Sequence, residues 1–471
     1  MSEIDVLVVG GGISGLSIAQ RLTLEGACVE VWEKETRPGG KIRSDSHDGY
    51  LTERAAAMLL NFRPEVNQFI TECGLDKYRN PRADTSHRYV VNNGQLIKLP
   101  MKLGPLLASE VWSTGGKLRM MLEPFVRKGG SESETVSQFI TRRLGREVLD
   151  NTMGPYVAGL LASDPDQANA RSVLPRLVAL ERRYGSIAMG AFVHRVLKRK
   201  TGTETEAFSF HGGMATLVES LASIDGVSFR GGHTVTEIAK SGNSWHAVAT
   251  TSGADRHVKA RQLVISTPAD TAATLLGGHS TELGRLLNGI EYASLSVVHT
   301  GFDRSAISHP LDGNGFLTQV DNGTALTGCM WMSSLFTDHA PPDKTLLCNY
   351  LGGARHPEAV TWDDTRLISE TMKSLRPLLD ISGEPEFVHI DRHKEGLPLY
   401  HGNYYIRTQR LEQLLTQLPG LHVEANFRGG ISVRDRIVCA MRAADRICRQ
   451  LQSSSSTTYS MPELWLEPQI T

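Results

Sequence analysis

The chain has 471 residues, more than one hydrophobic core can serve, so two or three interleaved domains are expected. Its 50 Lys and Arg residues nearly balance 51 Asp and Glu, which leaves no basic field for nucleic acid. No apolar run approaches the roughly 20 residues of a spanning helix, and six cysteines without CxxC or Cys/His spacing read as reduced, mostly buried thiols of a cytoplasmic protein with no signal peptide and no metal site.

The N-terminus reads IDVLVVGGGISGLSIAQRLTLEGACVEVWEK: an apolar run, a glycine turn, a helical pattern stopped at Gly26, and a second apolar run ending at Glu33. This is a βαβ unit of the length expected for dinucleotide binding. Gly10 permits the tight turn, Gly12 lets backbone approach a pyrophosphate, and Gly15 lets helix and strand pack closely, with Ile13 and Ser14 between them at the helix start. Glu33, followed by Lys34, stands where a carboxylate accepts hydrogen bonds from a ribose, and its charge argues against a 2′-phosphate. NAD and FAD both satisfy this much. The next segment, RPGGKIRS, adds Gly39 and Gly40 flanked by Arg37, Lys41 and Arg43, whose amides and cationic groups suit the second part of an extended, bent cofactor. That continuation favours FAD.

Residues 101–172 are rich in helix formers. VSFRGGHTVTEIAKSGNSWHAVATTSGADRHVKARQLVIST alternates short strands with turns, and 290–400 alternates apolar and polar residues as a sheet does. GLHVEANFRGGISVRDRIVCAMRAADRICRQL is a strand, a glycine turn and a long helix. The expected architecture is mixed α/β. Segments 1–80, 211–275 and 415–452 form a Rossmann-like FAD-binding domain of the p-hydroxybenzoate hydroxylase type. It is interleaved with a mixed-sheet substrate domain (81–100, 173–210 and 276–414), a helical insert (101–172) and a loose tail (453–471) in which Trp465 and Leu466 touch down.

RPGGKIRS resembles the R-x-G-G-[RK]-x-x-[ST] continuation of the flavin amine oxidase and protoporphyrinogen oxidase superfamily, and DGYLTERAAAML resembles its next loop, which runs past the flavin from an acid, here Glu53. RYVVNNGQLIKLP, PYVAGLLASDP, FSFHGGMATLVESL, IEYASLSVVHTGF, CMWMSSLF, YLGGARHPE and ANFRGGISVRDRI follow in the order expected of the protoporphyrinogen/coproporphyrinogen oxidases, up to about residue 450. The resemblance departs from the family pattern at Arg54, Ala55, Ala425 and Arg434.

The resemblance implies FAD-dependent oxidation of a porphyrinogen in haem synthesis, six electrons in three flavin cycles with oxygen as acceptor. Protoporphyrinogen IX is the first expected substrate and coproporphyrinogen III the alternative. It assigns Arg88 to a substrate propionate, Gly159 to the space above the ring, and Val235 to a backbone contact with adenine. Gly430, Ile431, Ser432 and Val433 combine amides with a helix N-terminus, a positive end suited to charge on the reduced flavin. Peripheral contact with the cytoplasmic membrane follows from the family and from the mixed apolar and basic run around Trp112 and Phe125. A homodimer and contact with the next enzyme of haem synthesis remain open. So do two other readings: a flavin amine oxidase with an aromatic cage from Tyr400, Tyr404 and Tyr405, and a non-catalytic flavin or tetrapyrrole binder.

Overall fold

Val6 to Val9 end the strand Glu3–Val9 as an almost fully buried apolar run, the pattern of a strand covered on both faces of a parallel sheet. It pairs in parallel with Val29–Trp32 and with Arg256–Ile265, and Val29–Trp32 pairs in turn with Val227–Arg230. Leu421–Val423 joins Arg256–Ile265, also in parallel, while Ser244–Thr250 and Thr234–Ser241 extend the sheet antiparallel. The computed structural model describes residues 3–83, 87–100, 109–197, 205–319 and 323–453. The tail with Trp465 and Leu466, and residues 101–108 of the helical stretch, lie outside them.

Two helices follow strands of this sheet that run in the same direction. Ile13–Leu24 follows Glu3–Val9, and Val433–Ser453 follows Leu421–Val423, so both begin at the carboxyl edge of the sheet. They pack together, Leu16, Ala19 and Leu22 sharing a core with Ile437, Ala440 and Ala444. Phe208 and Phe210 enter that core from Glu206–Phe210, which pairs with Leu59–Asn61 and Arg79–Pro81.

A second seven-stranded sheet runs in the order Phe387–Pro398, Tyr292–Asp303, Lys344–Gly352, Leu326–Trp331, Gly315–Leu317, His87–Asn92, Gln95–Pro100. Tyr89 and Val91 pack in the core beneath the helix Asp364–Leu379, and strand alternation therefore turns Arg88 to the opposite face. The hairpin of Ser44–His47 and Tyr50–Glu53 ties the nucleotide sheet to this one, with Tyr50 stacked on Phe387 at 4.6 Å between centroids.

The helical unit is built around Val136, Phe139, Ile140, Val157, Val178 and Ile187. Its core thus draws on helices Pro175–Tyr184 and Ile187–Leu197, past the boundary at residue 172 read from composition. Trp112 lies in this core, while Phe125 is 84% exposed, so the two aromatic residues of the supposed interfacial run have different fates. All six cysteines are free, but only Cys329 and Cys348 are buried and Cys28 is exposed, which corrects the expectation of mostly buried thiols.

Candidate active site

The cradle at the carboxyl edge is made by crowding. A Cβ on Gly15 would lie 2.1 Å from Gly10 O, and one on Gly10, at φ +108°, 2.8 Å from Ser266 O. Gly12, the N-cap residue of Ile13–Leu24, has no side-chain cap and nothing within 4 Å of where its Cβ would point. The helix start is therefore open to a ligand. Ser14 is buried behind it and Ile13 packs on the core.

The Gly11 and Glu35 amides donate to Glu33 Oε2 and Oε1 at 2.7 and 3.0 Å, holding a buried carboxylate beside the glycine turn. Lys34 is exposed. The second glycine pair closes over the first: Gly39 N donates to Gly11 O at 2.8 Å, and a Cβ on Gly40 would lie 3.4 Å from Gly12 Cα. The cations around the pair serve the protein itself. Arg37 donates to the carbonyls of Pro38, Gly40 and Ile42, and Arg43 pairs with Asp45 at 2.8 Å. Lys41 donates to Glu395 O and, at 2.6 Å, to Gly396 O, and stands 5.0 Å from the Tyr292 ring centroid; burial pulls it down to about 8.

His233 N donates to Glu33 O at 2.8 Å, which pins the loop before Thr234–Ser241 and brings Val235 to the Glu33 side of the sheet. At the start of the C-terminal helix, Ser432 Oγ accepts from Asp435 N at 3.1 Å. Gly430 has φ +108°, Ile431 packs against the nucleotide-sheet core, and Val433 is buried against the first helix. Sequence reading missed Arg436, whose side chain is buried and donates to Ala425 O while Nε and Nη2 lack partners. Nothing local marks an arginine one turn into a helix as buried; the apolar period around it is the only signal.

On the second sheet, Arg88 is partly buried and has no ion-pair or hydrogen-bond partner among the described residues. Burial pulls its guanidinium pKa down, Tyr156 pushes back, and Arg82 adds a like charge. Tyr156 and Gly159 lie on the helix Gly154–Leu161, which presses onto the same sheet: a Cβ on Gly159 would meet Leu317 Cδ2 at 2.4 Å and Thr327 O at 3.1 Å. Gly159 therefore serves close packing, and Leu317 fills the space its side chain would take.

A profile described as flavin containing amine oxidoreductase matches residues 13–448. The chain belongs to that family. Among its relatives, the mitochondrial protoporphyrinogen oxidase of Nicotiana tabacum is 32% identical, covering 96% of each chain. The coproporphyrinogen III oxidase of Bacillus subtilis (strain 168) is 26% identical over 92% of this chain and 95% of its own. A crystal structure from Exiguobacterium sp. 255-15, named for protoporphyrinogen oxidase, superposes with a TM-score of 0.77 at 22% identity, covering 96% of this chain and all of that one. That likeness speaks for the fold.

As a member of the flavin containing amine oxidoreductases the chain is an FAD-dependent oxidoreductase, and the residues present fit FAD. The paired glycines leave a cradle that a Cβ at Gly12 or Gly40 would invade, and Arg436 adds unpartnered donors near the second helix start. The tyrosines do not make the walls of a slot. Tyr400 and Tyr404 are buried and meet edge to face at 89°, and Tyr405 lies against Arg171.

Proposed function

We propose that the chain oxidises a porphyrinogen to the porphyrin, with protoporphyrinogen IX as first substrate, coproporphyrinogen III as second and oxygen as acceptor. Arg88 carries the reading. A partly desolvated guanidinium without a carboxylate partner among the described residues, on the sheet face covered by Gly154–Leu161, suits a propionate on a large apolar ring. The relatives named for both porphyrinogens support it.

FAD in the cradle supplies a two-electron acceptor, so a six-electron oxidation takes three turnovers. The chain holds and orients. Glu33 would accept from ribose hydroxyls, the amides around Gly12, Ile13 and Gly40 would hold the diphosphate, Val235 would line the adenine side, and the Gly430–Val433 turn would offer a positive helix end to the ring system. Arg88 fixes the substrate by a charge-assisted bond, and no side-chain nucleophile is required. The amine oxidase reading loses support because Tyr400 and Tyr404 are packed in the core.

Anaerobic addition of protoporphyrinogen IX or coproporphyrinogen III should bleach the flavin, and Arg88→Leu should raise the concentration needed about tenfold without changing flavin content. Bleaching by a polyamine and by neither porphyrinogen would refute the proposal.

The helical unit also suits peripheral membrane contact. Met121, Phe125 and Phe192 are exposed, and Arg127, Lys128, Arg182 and Arg183 are exposed on the same unit. No helix among the described residues is long and apolar enough to span. Flotation with phosphatidylglycerol vesicles decides the point: a protein that stays at the bottom of the gradient makes no such contact.

A further inference from the structure

Arg436 stands one turn inside the helix Val433–Ser453 and is 1% exposed. Its amide donates to Ser432 O at 2.9 Å, and its side chain leans back toward the helix start, as helical side chains do, with Nη1 donating to Ala425 O. A Cβ on Gly429 would lie 3.5 Å from Nη2, so the guanidinium rests against the loop that ends in Gly430. Nε and Nη2 are buried without a hydrogen-bond partner.

Strand register ties this loop to the glycine cradle. Val9, Ile265 and Val423 stand side by side on three parallel strands, so Gly10 and Glu424 leave the same sheet edge two strand spacings apart, about 10 Å. The strand between them touches both. Glu424 N donates to Ile265 O at 2.9 Å, and Ser266 O is the atom that a Cβ on Gly10 would strike.

A charge buried here needs an answer, and the protein gives none among the described residues. The carboxylates of the loop and of the helix start are taken: Glu424 pairs with Arg446 at 2.6 Å and Asp435 with Arg434 at 2.8 Å. Arg428, the other arginine of the loop, has Glu412. Tyr400 and Tyr404 supply no anion, because burial raises the pKa of both further than the charge of Arg436 pulls it back. Donating to one carbonyl requires no charge at all; a glutamine would serve. A buried guanidinium with two empty nitrogens is instead costly until an anion joins it.

We infer that Arg436 is the counter-charge of the reduced flavin ring, adding a full positive charge to the partial one at the helix start. The oxidised ring is neutral. A hydride from the substrate brings it two electrons and one proton and leaves it with one negative charge, while the substrate releases an N–H proton to solvent. A buried cation beside the ring therefore favours the reduced form and makes the flavin a stronger oxidant. The inference rests on the placement of the ring at the Gly430–Val433 turn and adds the residue that sets its driving force.

The midpoint potential of the flavin-loaded protein is measured against a reference dye, with no porphyrinogen present, in the parent and in Arg436→Gln, Arg436→Lys, Cys439→Asp and Ser432→Asp. Binding of oxidised FAD to each is followed by flavin fluorescence. Arg436→Gln should lose about tenfold in affinity for the reduced flavin relative to the oxidised, which lowers the midpoint of a two-electron couple by about 30 mV, and Arg436→Lys should stay near the parent. Cys439, half-buried three residues on, has its Sγ 3.7 Å from Gly429 O. An Asp there answers the guanidinium without removing it, should also lower the midpoint, and replaces Arg436→Gln if that variant loads no flavin. A parent midpoint in Arg436→Gln, or in Cys439→Asp where it stands in, overturns the proposal. An equal fall in Arg436→Lys and Arg436→Gln also overturns it, since that reports packing. Weaker binding of oxidised FAD with an unchanged midpoint does so too, and gives the guanidinium to the diphosphate. Ser432→Asp sets a carboxylate on the turn itself and tests the ring placement apart from Arg436: a midpoint that this variant leaves unmoved puts the ring elsewhere, whereas one that it moves and Arg436→Gln does not removes only the role of Arg436.

Discussion

At the nucleotide cradle the working groups are backbone: the amides of Gly11 and Gly39, the open start of the first helix, and glycines where any Cβ would collide. On the substrate side the candidate group is one long side chain, Arg88, which has no ion-pair or hydrogen-bond partner among the described residues. The difference teaches where specificity resides. A backbone cradle tolerates little change and binds one kind of ligand; a side chain standing on a sheet face can be varied without disturbing the sheet beneath it.

The widest gap between the two regions should appear on adding one methyl. Gly15→Ala places a Cβ 2.1 Å from Gly10 O, where neither the strand end nor the helix can retreat without opening the core. A cost of about 3 kcal/mol or more is expected, with flavin lost on purification. Gly159→Ala, against the flexible end of Leu317, should keep its flavin. Measuring flavin per chain and thermal midpoint for both would break the comparison if Gly15→Ala loads normally.

A second test asks whether the helical unit depends on charge in its interior as the cradle depends on glycine. Glu123 and Arg143 are both buried and paired, and Glu123 also accepts from Ser186 Oγ, Ile187 N at 2.9 Å and Ala188 N at 3.1 Å, capping the helix Ile187–Leu197. Burial alone would raise the Glu123 pKa, but these bonds outweigh it and the net shift is downward, so the ionised form is the one the fold keeps. Removing one member of a buried pair costs about 3–5 kcal/mol. Glu123→Gln should therefore unfold at markedly lower denaturant, while replacing both residues with apolar ones, Glu123→Leu with Arg143→Met, should recover much of the loss. If the single variant matches the parent, the pair does not hold the unit.

The two regions also differ in how far they could be read in advance. The βαβ unit was legible because its signals are local: apolar runs, a glycine spacing and an acid at the second strand end all fall within residues 4–33. The C-terminal strand, turn and helix were legible for the same reason, as was the alternation of the second sheet. Arg37, Lys41 and Arg43 were legible as residues near a glycine pair but not as to what they hold, because Lys41 finds its carbonyls at Glu395 and Gly396, on a strand from the other end of the chain. Within the run read as interfacial Arg127 and Lys128 are exposed, whereas further along the helical stretch Arg142 and Arg143 point inward to Glu123, Glu134 and Glu181, a difference that only tertiary packing decides.

The effect that is smallest at neutral pH is expected at the seam between the regions. His299 is fully buried on Tyr292–Asp303, opposite His389 across the strand pair, with neither ring nitrogen given a partner. Burial, with help from the charge of His389, lowers its pKa from the usual 6.5 to about 3. Between those values the unfolded chain takes up a proton that the folded one refuses, so stability falls as pH drops from 6.5 toward 3 and is unaffected by this group above 6.5. The slope from one such group is at most about 1.4 kcal/mol per pH unit. His299→Leu removes the titration and should flatten the acid side of a plot of thermal midpoint against pH, leaving the neutral side in place apart from a constant offset. An acid limb as steep in the variant as in the parent would assign the loss to carboxylates whose pKa the fold lowers, Asp338 beside His339 among them, which the His339 side chain helps hold down at about 2 and which loses its contribution as pH falls toward that value; Glu53, whose pKa burial raises, acts in the opposite sense.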